Sequence, residues 1–143
     1  MQSGMIHIYA GKGSTLIALG LSTRALGAGF KVRFIRFPHA PSLPGDLSSF
    51  MNNEDFHYLL LENQEKAIIL DRLSRELTLG KTDMIVLDGI TDIVAPEGIL
   101  DEIDLIRLIR NKRGDLELVM TGESVLPSIE EIADVVSHLF EME

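Results

Sequence analysis

The length, composition and charge of the chain limit what it can be. Its 143 residues suit one domain, and its 45% hydrophobic and 24% charged content is ordinary for a globular protein. The absence of cysteine excludes disulfides and thiolate metal sites, and no apolar stretch approaches the roughly 18 residues that a membrane helix needs. The net charge of −9 argues against a broad nucleic-acid surface, which needs clustered lysine and arginine. We therefore expect one cytoplasmic domain over residues 1–143 that binds neither nucleic acid nor membranes, with residues 1–4 as a candidate leader.

The chain begins with a pattern typical of a nucleotide-binding loop. The apolar run Ile6–Tyr9 predicts a short buried strand, a glycine turn follows at Gly11–Gly13, and Ser14 and Thr15 begin an apolar helix. Such a helix N-terminus attracts anions, because its first N–H groups have no partner within the helix and its dipole adds about half a positive charge. A complete phosphate loop reads G-x-x-x-x-G-K-[ST]. Here Thr15 supplies the hydroxyl, but Ser14 stands at the lysine position and Ile8 at that of the first glycine.

The rest of the chain alternates between predicted strands and helices. Near-continuous apolar runs, typical of strands covered on both faces, lie at Lys31–Phe37, Met84–Asp88, Leu116–Thr121 and, more weakly, Val135–Phe140. Helical periodicity occupies the intervals at Ser14–Gly27, Glu54–Leu79, Ile99–Arg110 and Pro127–Ala133. This alternation predicts a three-layer α/β fold with right-handed crossovers and a mainly parallel sheet of about five strands.

Ligands of parallel α/β sheets bind beyond the carboxyl ends of the strands. The segments that the predicted fold gathers there are Ala10–Thr15, Pro38–Phe50, Gly89–Gly98 and Gly122–Pro127. Pro38–Phe50 contains three prolines, a glycine and three serines, so we expect it to be a loop that is disordered without ligand.

The strand Met84–Asp88 ends in an acid. In phosphate-loop proteins such an aspartate holds magnesium, directly or through water, although a strand-end aspartate can also simply begin a turn with the next glycine. Because the loop containing Thr15 follows the first strand, we interpret Thr15 and Asp88 as an ancestral magnesium site. The histidines at 7, 39, 57 and 138 show no short metal-site spacing. We expect His7 and His138 to be core or strand-end residues.

Several blocks of the sequence match the pattern of one family. Residues 11–37 read GKGSTLIALGLSTRALGAGFKVRFIRF, and later blocks lie at Asp83–Asp88, Gly98–Asp101, Leu118–Gly122 and Ile132–Val136. They resemble, in the same order, the blocks of the ATP:corrinoid adenosyltransferases of the cobalamin pathway, which open with G-K-G-K-T-T-A-A-L-G-L, then R-A-x-G-x-G and an apolar strand ending in Q-F. The resemblance implies a RecA-like P-loop fold, usually dimeric. It implies transfer of the 5′-deoxyadenosyl group of ATP to a cob(I)alamin or cobinamide, with release of triphosphate.

The same resemblance implies the ligands and the residues that hold them. ATP and Mg²⁺ are the implied cofactors, and a corrinoid is the implied substrate of a homodimer. The implied ligand-binding residues lie on the loop and at the end of a later strand: Gly11, Lys12, Gly13, Ser14, Thr15, Thr121 and Gly122. Thr15 and Asp88 are the implied metal ligands, and His39 is a candidate cobalt ligand. The resemblance implies no catalytic side chain, since Co(I) is itself the nucleophile.

Departures from the family pattern fall on residues that handle phosphate. Ser14 replaces the loop lysine, Gly89 replaces an acid after the strand-end aspartate, Glu123 replaces an arginine, and Arg36 replaces a glutamine. A charge-assisted hydrogen bond contributes roughly 1.5–3 kcal/mol, so loss of the lysine alone should weaken triphosphate binding by about ten- to a hundredfold.

Two hypotheses about function follow from these departures. The first is an active adenosyltransferase that uses Lys12, Thr15 and Asp88 with magnesium. The second is a non-catalytic nucleotide- or anion-binding or assembly module on the same fold. The core blocks are retained while the phosphate-handling residues are altered, which favours a fold kept for a purpose other than the parent reaction.

Overall fold

The fold is built on one parallel sheet of six strands, seen in a computed structural model that describes residues 4–38, 40, 48–62, 65–94 and 98–140. The strands are β1 (Ile6–Ala10), β2 (Val32–Arg36), β3 (Phe56–Leu60), β4 (Met84–Asp88), β5 (Glu117–Gly122) and β6 (Val135–His138). The helices are α1 (Ser14–Gly27), α2 (Ser48–Met51), α3 (Lys66–Thr78), α4 (Glu102–Arg110) and α5 (Pro127–Glu130), with a 3₁₀ turn at Ile90–Ile93. The strand order β3-β2-β4-β5-β1-β6 places β4 and β5 in the middle.

Each face of the sheet carries helices, which confirms the predicted three-layer α/β fold. On one face α3, α4 and α5 pack over strand residues such as Ile85. On the other face α1 places Ala18 and Leu19 against Phe34 and Val86. Because helices cover both faces, the central strands are mostly apolar, and all five residues of β4 are buried, including Asp88 at its end.

The predicted helix Glu54–Leu79 is wrong over its first part. Phe56–Leu60 forms the edge strand β3, and only Lys66–Thr78 is helical, so the sheet has six strands rather than about five. A short apolar run fits the period of a helix as well as that of a strand, and here pairing with β2 makes it a strand. The rings of Phe56 and Tyr58 lie 6.2 and 6.3 Å from that of Phe34, so cross-strand aromatic packing stabilises the strand.

The other predicted elements are present with small shifts of their ends. The helix predicted at Ile99–Arg110 begins at Glu102, because Asp101 forms its N-cap and the Asp101 N–H donates to Asp104 Oδ2 at 3.1 Å. His138 is the last residue of β6, as expected. His39 and residues 41–47 of the predicted loop lie outside the described residues, as do residues 1–3 of the candidate leader. None of the helices in the described part of the chain is both long and apolar enough to cross a membrane.

Packing of α3 supports a test of the fold. Leu73 has no exposed surface and lies in the core, whereas Ile68, on the same helix, is 50% exposed. We expect Leu73→Ala to lower the free energy of unfolding by about 2–5 kcal/mol through lost burial and a cavity. Ile68→Ala is the matched control and should cost less than about 1 kcal/mol. Denaturant unfolding of the two variants measures this, and equal losses would contradict the packing described here.

Candidate functional site

The predicted site residues come together at the carboxyl ends of the four central strands. Ala10 of β1 is paired in register with Gly122 of β5, and Arg36 of β2 with Asp88 of β4. The segments that follow these strands surround a cavity of about 250 Å³. Its lining residues are Gly11, Lys12, Gly13, Ser14, Gly89, Thr121, Gly122 and Glu123. Every implied ligand-binding residue therefore lines this cavity except Thr15, which is buried and bonded to Asp88. That these residues bind a nucleotide stays a prediction.

Two glycines allow the loop between β1 and α1 to make its turn. Gly11 and Gly13 have φ angles of 125° and 87°, a region that favours glycine. A Cβ on Gly11 would also lie 2.4 Å from the carbonyl oxygen of Leu139. The Gly11 N–H donates to the Gly122 carbonyl at 2.9 Å, and the Ser14 hydroxyl donates to the same oxygen at 3.4 Å. The loop is therefore tied to β5, and Ser14 faces that strand.

The loop after β5 is held by an acid from the 3₁₀ turn. Both carboxylate oxygens of Asp92 accept the Glu123 N–H, at 3.0 and 3.1 Å, and one also accepts the Ser124 N–H at 3.5 Å. A Cβ on Gly122 would lie 1.7 Å from Thr91 Oγ1 and 3.0 Å from Asp92 Oδ1, so only glycine fits this approach. Partial burial raises the pKa of Asp92 above its ordinary value of 3.8, and this outweighs the lowering by the two backbone N–H groups.

Asp88 is the centre of a buried polar cluster. Its side chain has no exposed surface, and its Oδ1 accepts the hydroxyls of Thr15 at 2.8 Å and Thr121 at 2.7 Å. Its Oδ2 accepts the Arg36 Nε–H at 2.8 Å. The Gly89 N–H donates to Thr121 Oγ1 at 3.0 Å, which orients that hydroxyl toward the carboxylate. Every polar atom of the carboxylate is thus engaged by the protein itself.

This arrangement does not fit a divalent metal ion. Magnesium requires six oxygen ligands at about 2.0–2.1 Å in near-octahedral geometry, usually including one or two carboxylates. Here Oδ2 of Asp88 faces the Arg36 guanidinium, Oδ1 already accepts two hydroxyls, and Gly89 offers no second carboxylate. Across the described ranges of the chain, no three histidine, aspartate or glutamate side chains form a group that could hold a metal.

The role of Arg36 at the site was not predicted from the sequence. The family pattern identifies it only as a replacement of a glutamine. Its side chain is only 9% exposed, at the end of strand β2, where Phe34 and Ile35 before it are also buried. Charged side chains are almost never this buried unless they are paired. An arginine in a buried strand is therefore itself a signal that an acid lies opposite. Knowledge of the strand order would have pointed to Asp88, its register partner on β4.

A larger cavity of about 630 Å³ lies at the amino ends of the strands and near the last turns of α1. None of the implied ligand-binding or metal-binding residues lines it. Three acids line it, Asp83, Asp115 and Glu117, against one arginine, Arg24. A predominance of carboxylates disfavours a phosphate ligand, so the smaller cavity at the glycine loop is the candidate functional site.

Comparison with known proteins agrees with the blocks that surround this site. The profile of the family described as ATP:corrinoid adenosyltransferase BtuR/CobO/CobP matches residues 2–143. The chain belongs to this family. It is 25% identical over 153 residues to the corrinoid adenosyltransferases of two Escherichia coli strains, K12 and CFT073, with 96% of this chain and 77% of theirs covered.

A solved structure supports the fold assignment of this family member. The genome packaging NTPase B204 of Sulfolobus turreted icosahedral virus 2, in complex with ATP-gammaS, superposes with a TM-score of 0.59. The match covers all of this chain and 78% of the NTPase at 12% sequence identity. At that identity the likeness concerns the fold alone, which is the P-loop type that the sequence predicts.

The glycine loop supports a test with a control inside α1. We expect Gly11→Ala to destabilise the protein by about 1–3 kcal/mol, because alanine is strained at its φ of 125° and its Cβ would meet the Leu139 carbonyl. Gly20→Ala is the control, since no atom lies within 4 Å of a Cβ there. It lies in the helix interior and should stabilise by about 0.5–1 kcal/mol. Thermal or denaturant unfolding measures both, and a neutral Gly11→Ala would contradict the loop geometry.

The raised pKa of Asp92 predicts the direction in which the free energy of unfolding changes with pH. Above pH 3.8 and up to the folded pKa, the folded state binds more protons at this carboxyl than the unfolded state does. The contribution of this carboxyl group to the free energy of unfolding is therefore fully present below pH 3.8. It is lost as the pH rises through the pKa of the folded state. We expect the unfolding free energy of the wild type, relative to Asp92→Asn, to fall over this range. Unfolding at several pH values measures the difference, and a rise with pH would mean that the N–H groups outweigh burial.

Proposed function

We propose that this family member binds a small anion at its glycine loop and binds ATP only weakly, while transfer of the 5′-deoxyadenosyl group of ATP to a cob(I)alamin-type corrinoid is weakened or lost. The observation that carries the proposal is the buried Asp88 carboxylate, both of whose oxygens are engaged by side chains of the protein. An acid whose charge is already balanced by a guanidinium has less to offer a metal–triphosphate complex.

The phosphate side of the site supports weakened transfer. In the implied reaction Co(I) attacks the 5′ carbon of ATP, so the enzyme must position two substrates and stabilise a triphosphate leaving group. Ser14 bonds to the Gly122 carbonyl and brings no charge, and Glu123 places a carboxylate at the cavity. A carboxylate beside a polyphosphate is repulsive. The cavity of about 250 Å³ is also smaller than the about 300–1,000 Å³ typical of small-molecule sites.

The features that attract a single phosphate are independent of the replaced lysine. The N-terminus of the fourteen-residue helix α1 faces the loop, and its first turn carries no acidic side chain. Helix N–H groups and the helix dipole favour an anion there, and the Thr15 hydroxyl belongs to the same turn. Lys12 lines the cavity and adds positive charge. A phosphate or sulfate needs only such donors, whereas a triphosphate needs further cations along its length.

The alternative proposal is a non-catalytic assembly module on the same fold, for which the site would be a remnant. In both cases the cytoplasmic location and the homodimer that the family implies are part of the proposal. An active adenosyltransferase using Lys12, Thr15 and Asp88 with magnesium is the competing hypothesis, and it requires Asp88 to hold a metal, directly or through water, beside its guanidinium partner.

Anaerobic incubation with ATP, magnesium and chemically reduced cobalamin tests the proposal. The loss of Co(I) absorbance gives the rate of transfer, and we expect it to be at least about a hundredfold below that of an intact family member measured in parallel. Ser14→Lys should raise the rate, because it restores the missing phosphate cation. Leu16→Lys is the matched control, since Leu16 is exposed on the same helix and gains the same charge away from the cavity.

Calorimetry with ATP and magnesium separates the remaining possibilities. We expect a dissociation constant weaker than about 1 mM for the wild type, which corresponds to about 4 kcal/mol of binding free energy. Transfer at the rate of an intact family member, or a dissociation constant in the low micromolar range, would contradict the proposal. Absence of any phosphate or nucleotide binding would favour the assembly module.

A further inference from the structure

We infer that the Arg36 guanidinium supplies at Asp88 the positive charge that a divalent metal ion would otherwise supply, so that phosphate binding at the glycine loop is independent of magnesium. The first half of this inference concerns the polar cluster alone. The second half rests on the proposed function, since it requires the loop to bind a phosphate group.

Both oxygens of the Asp88 carboxylate already have partners within the protein. Arg36 and Asp88 are opposite each other at the ends of β2 and β4, and both are buried. The Arg36 Nε–H bonds to Oδ2 at 2.8 Å, while the Thr15 and Thr121 hydroxyls bond to Oδ1 at 2.8 and 2.7 Å. A metal ion could bind this carboxylate only by sharing Oδ2 with the guanidinium or by displacing a hydroxyl from Oδ1.

Electrostatics disfavour a divalent ion at the oxygen that already bonds to the guanidinium. A magnesium ion would lie about 2.1 Å from Oδ2, and the Arg36 nitrogen lies 2.8 Å from the same atom. The two cations would then repel each other beside a carboxylate that has no exposed surface, where the screening of charges is weak. Asp88 carries one negative charge, which Arg36 already neutralises.

The charge that Arg36 supplies differs from that of a metal in one functional respect. A metal ion can be removed by chelation or dilution, whereas a side chain on β2 is permanent. Because the Arg36–Asp88 pair has no net charge, a phosphate group at the N-terminus of α1 depends on the donors of the loop and helix, with or without magnesium. The ligand class that fits this site is a small phosphate anion without a bound metal, such as inorganic phosphate.

Arg36→Gln tests the metal half of the inference without any phosphate. The substitution restores the family residue and leaves the buried Asp88 carboxylate without its cation, so we expect a lower melting temperature in EDTA than for the wild type. Millimolar Mg²⁺ or Mn²⁺ should raise the melting temperature of the variant, because the metal binds only its folded state. The wild type should show no shift, and Mn²⁺ electron paramagnetic resonance should detect binding to the variant alone.

Two further variants serve as controls for this experiment. Arg33→Gln makes the same change on β2, at a residue that pairs with Glu76 at 2.7 Å, and it should show no metal response. If Arg36→Gln does not fold, the double variant Arg36→Gln/Asp88→Asn removes both charges and should fold without binding metal. Mn²⁺ binding by the wild-type protein would overturn the inference whatever the variants do.

Calorimetry with inorganic phosphate tests the second half. We expect the wild-type dissociation constant in EDTA and in millimolar Mg²⁺ to agree within about twofold, since no metal takes part. A gain in affinity of about tenfold or more on adding Mg²⁺ would overturn the inference. Absence of phosphate binding in both buffers would overturn the second half and phosphate binding under the proposed function, while the Mn²⁺ experiment decides the first half on its own.

Discussion

A carboxylate without exposed surface at the end of a central strand must be satisfied entirely by the protein, and the rest of the site follows from this constraint. Asp88 lies at the end of β4 between two neighbouring strands. Arg36 reaches it from β2, Thr121 from β5 and Thr15 from α1. Burial of a charge is costly unless it is paired and hydrogen-bonded, so these three elements are held in one arrangement by a single side chain.

The same cluster links the architecture to the chemistry. In a phosphate-loop protein the strand-end acid and the helix hydroxyl together serve a metal and its phosphates. Here the Thr15 hydroxyl donates a hydrogen bond to Asp88, and the Arg36 guanidinium supplies the compensating positive charge. The glycine loop, α1 and the parallel sheet form as the family resemblance predicts, with Ser14 bonded to the Gly122 carbonyl of β5 and Glu123 at the cavity.

Local signals predicted the elements that carry the site. The glycine turn and the periodicity of the following segment predicted α1 with its observed ends at Ser14 and Gly27, and the apolar run before Asp88 predicted β4 with its observed ends. The strand β3 was not predicted, because its five residues fit a helical pattern as well as an extended one. Packing of its rings against Phe34, more than twenty residues earlier in the chain, decides the outcome.

The sequence by itself determined the family, the α/β class and the set of loops that meet at the carboxyl ends of the strands. These depend on motifs and on the periodicity of apolar residues, which can be recognised along the chain. Only the tertiary structure decided what Asp88 binds. Its partner Arg36 is 52 residues away, and the two meet at 2.8 Å because the strand order makes β2 and β4 neighbours in register. Strand order depends on how the whole core packs, and no local pattern specifies it.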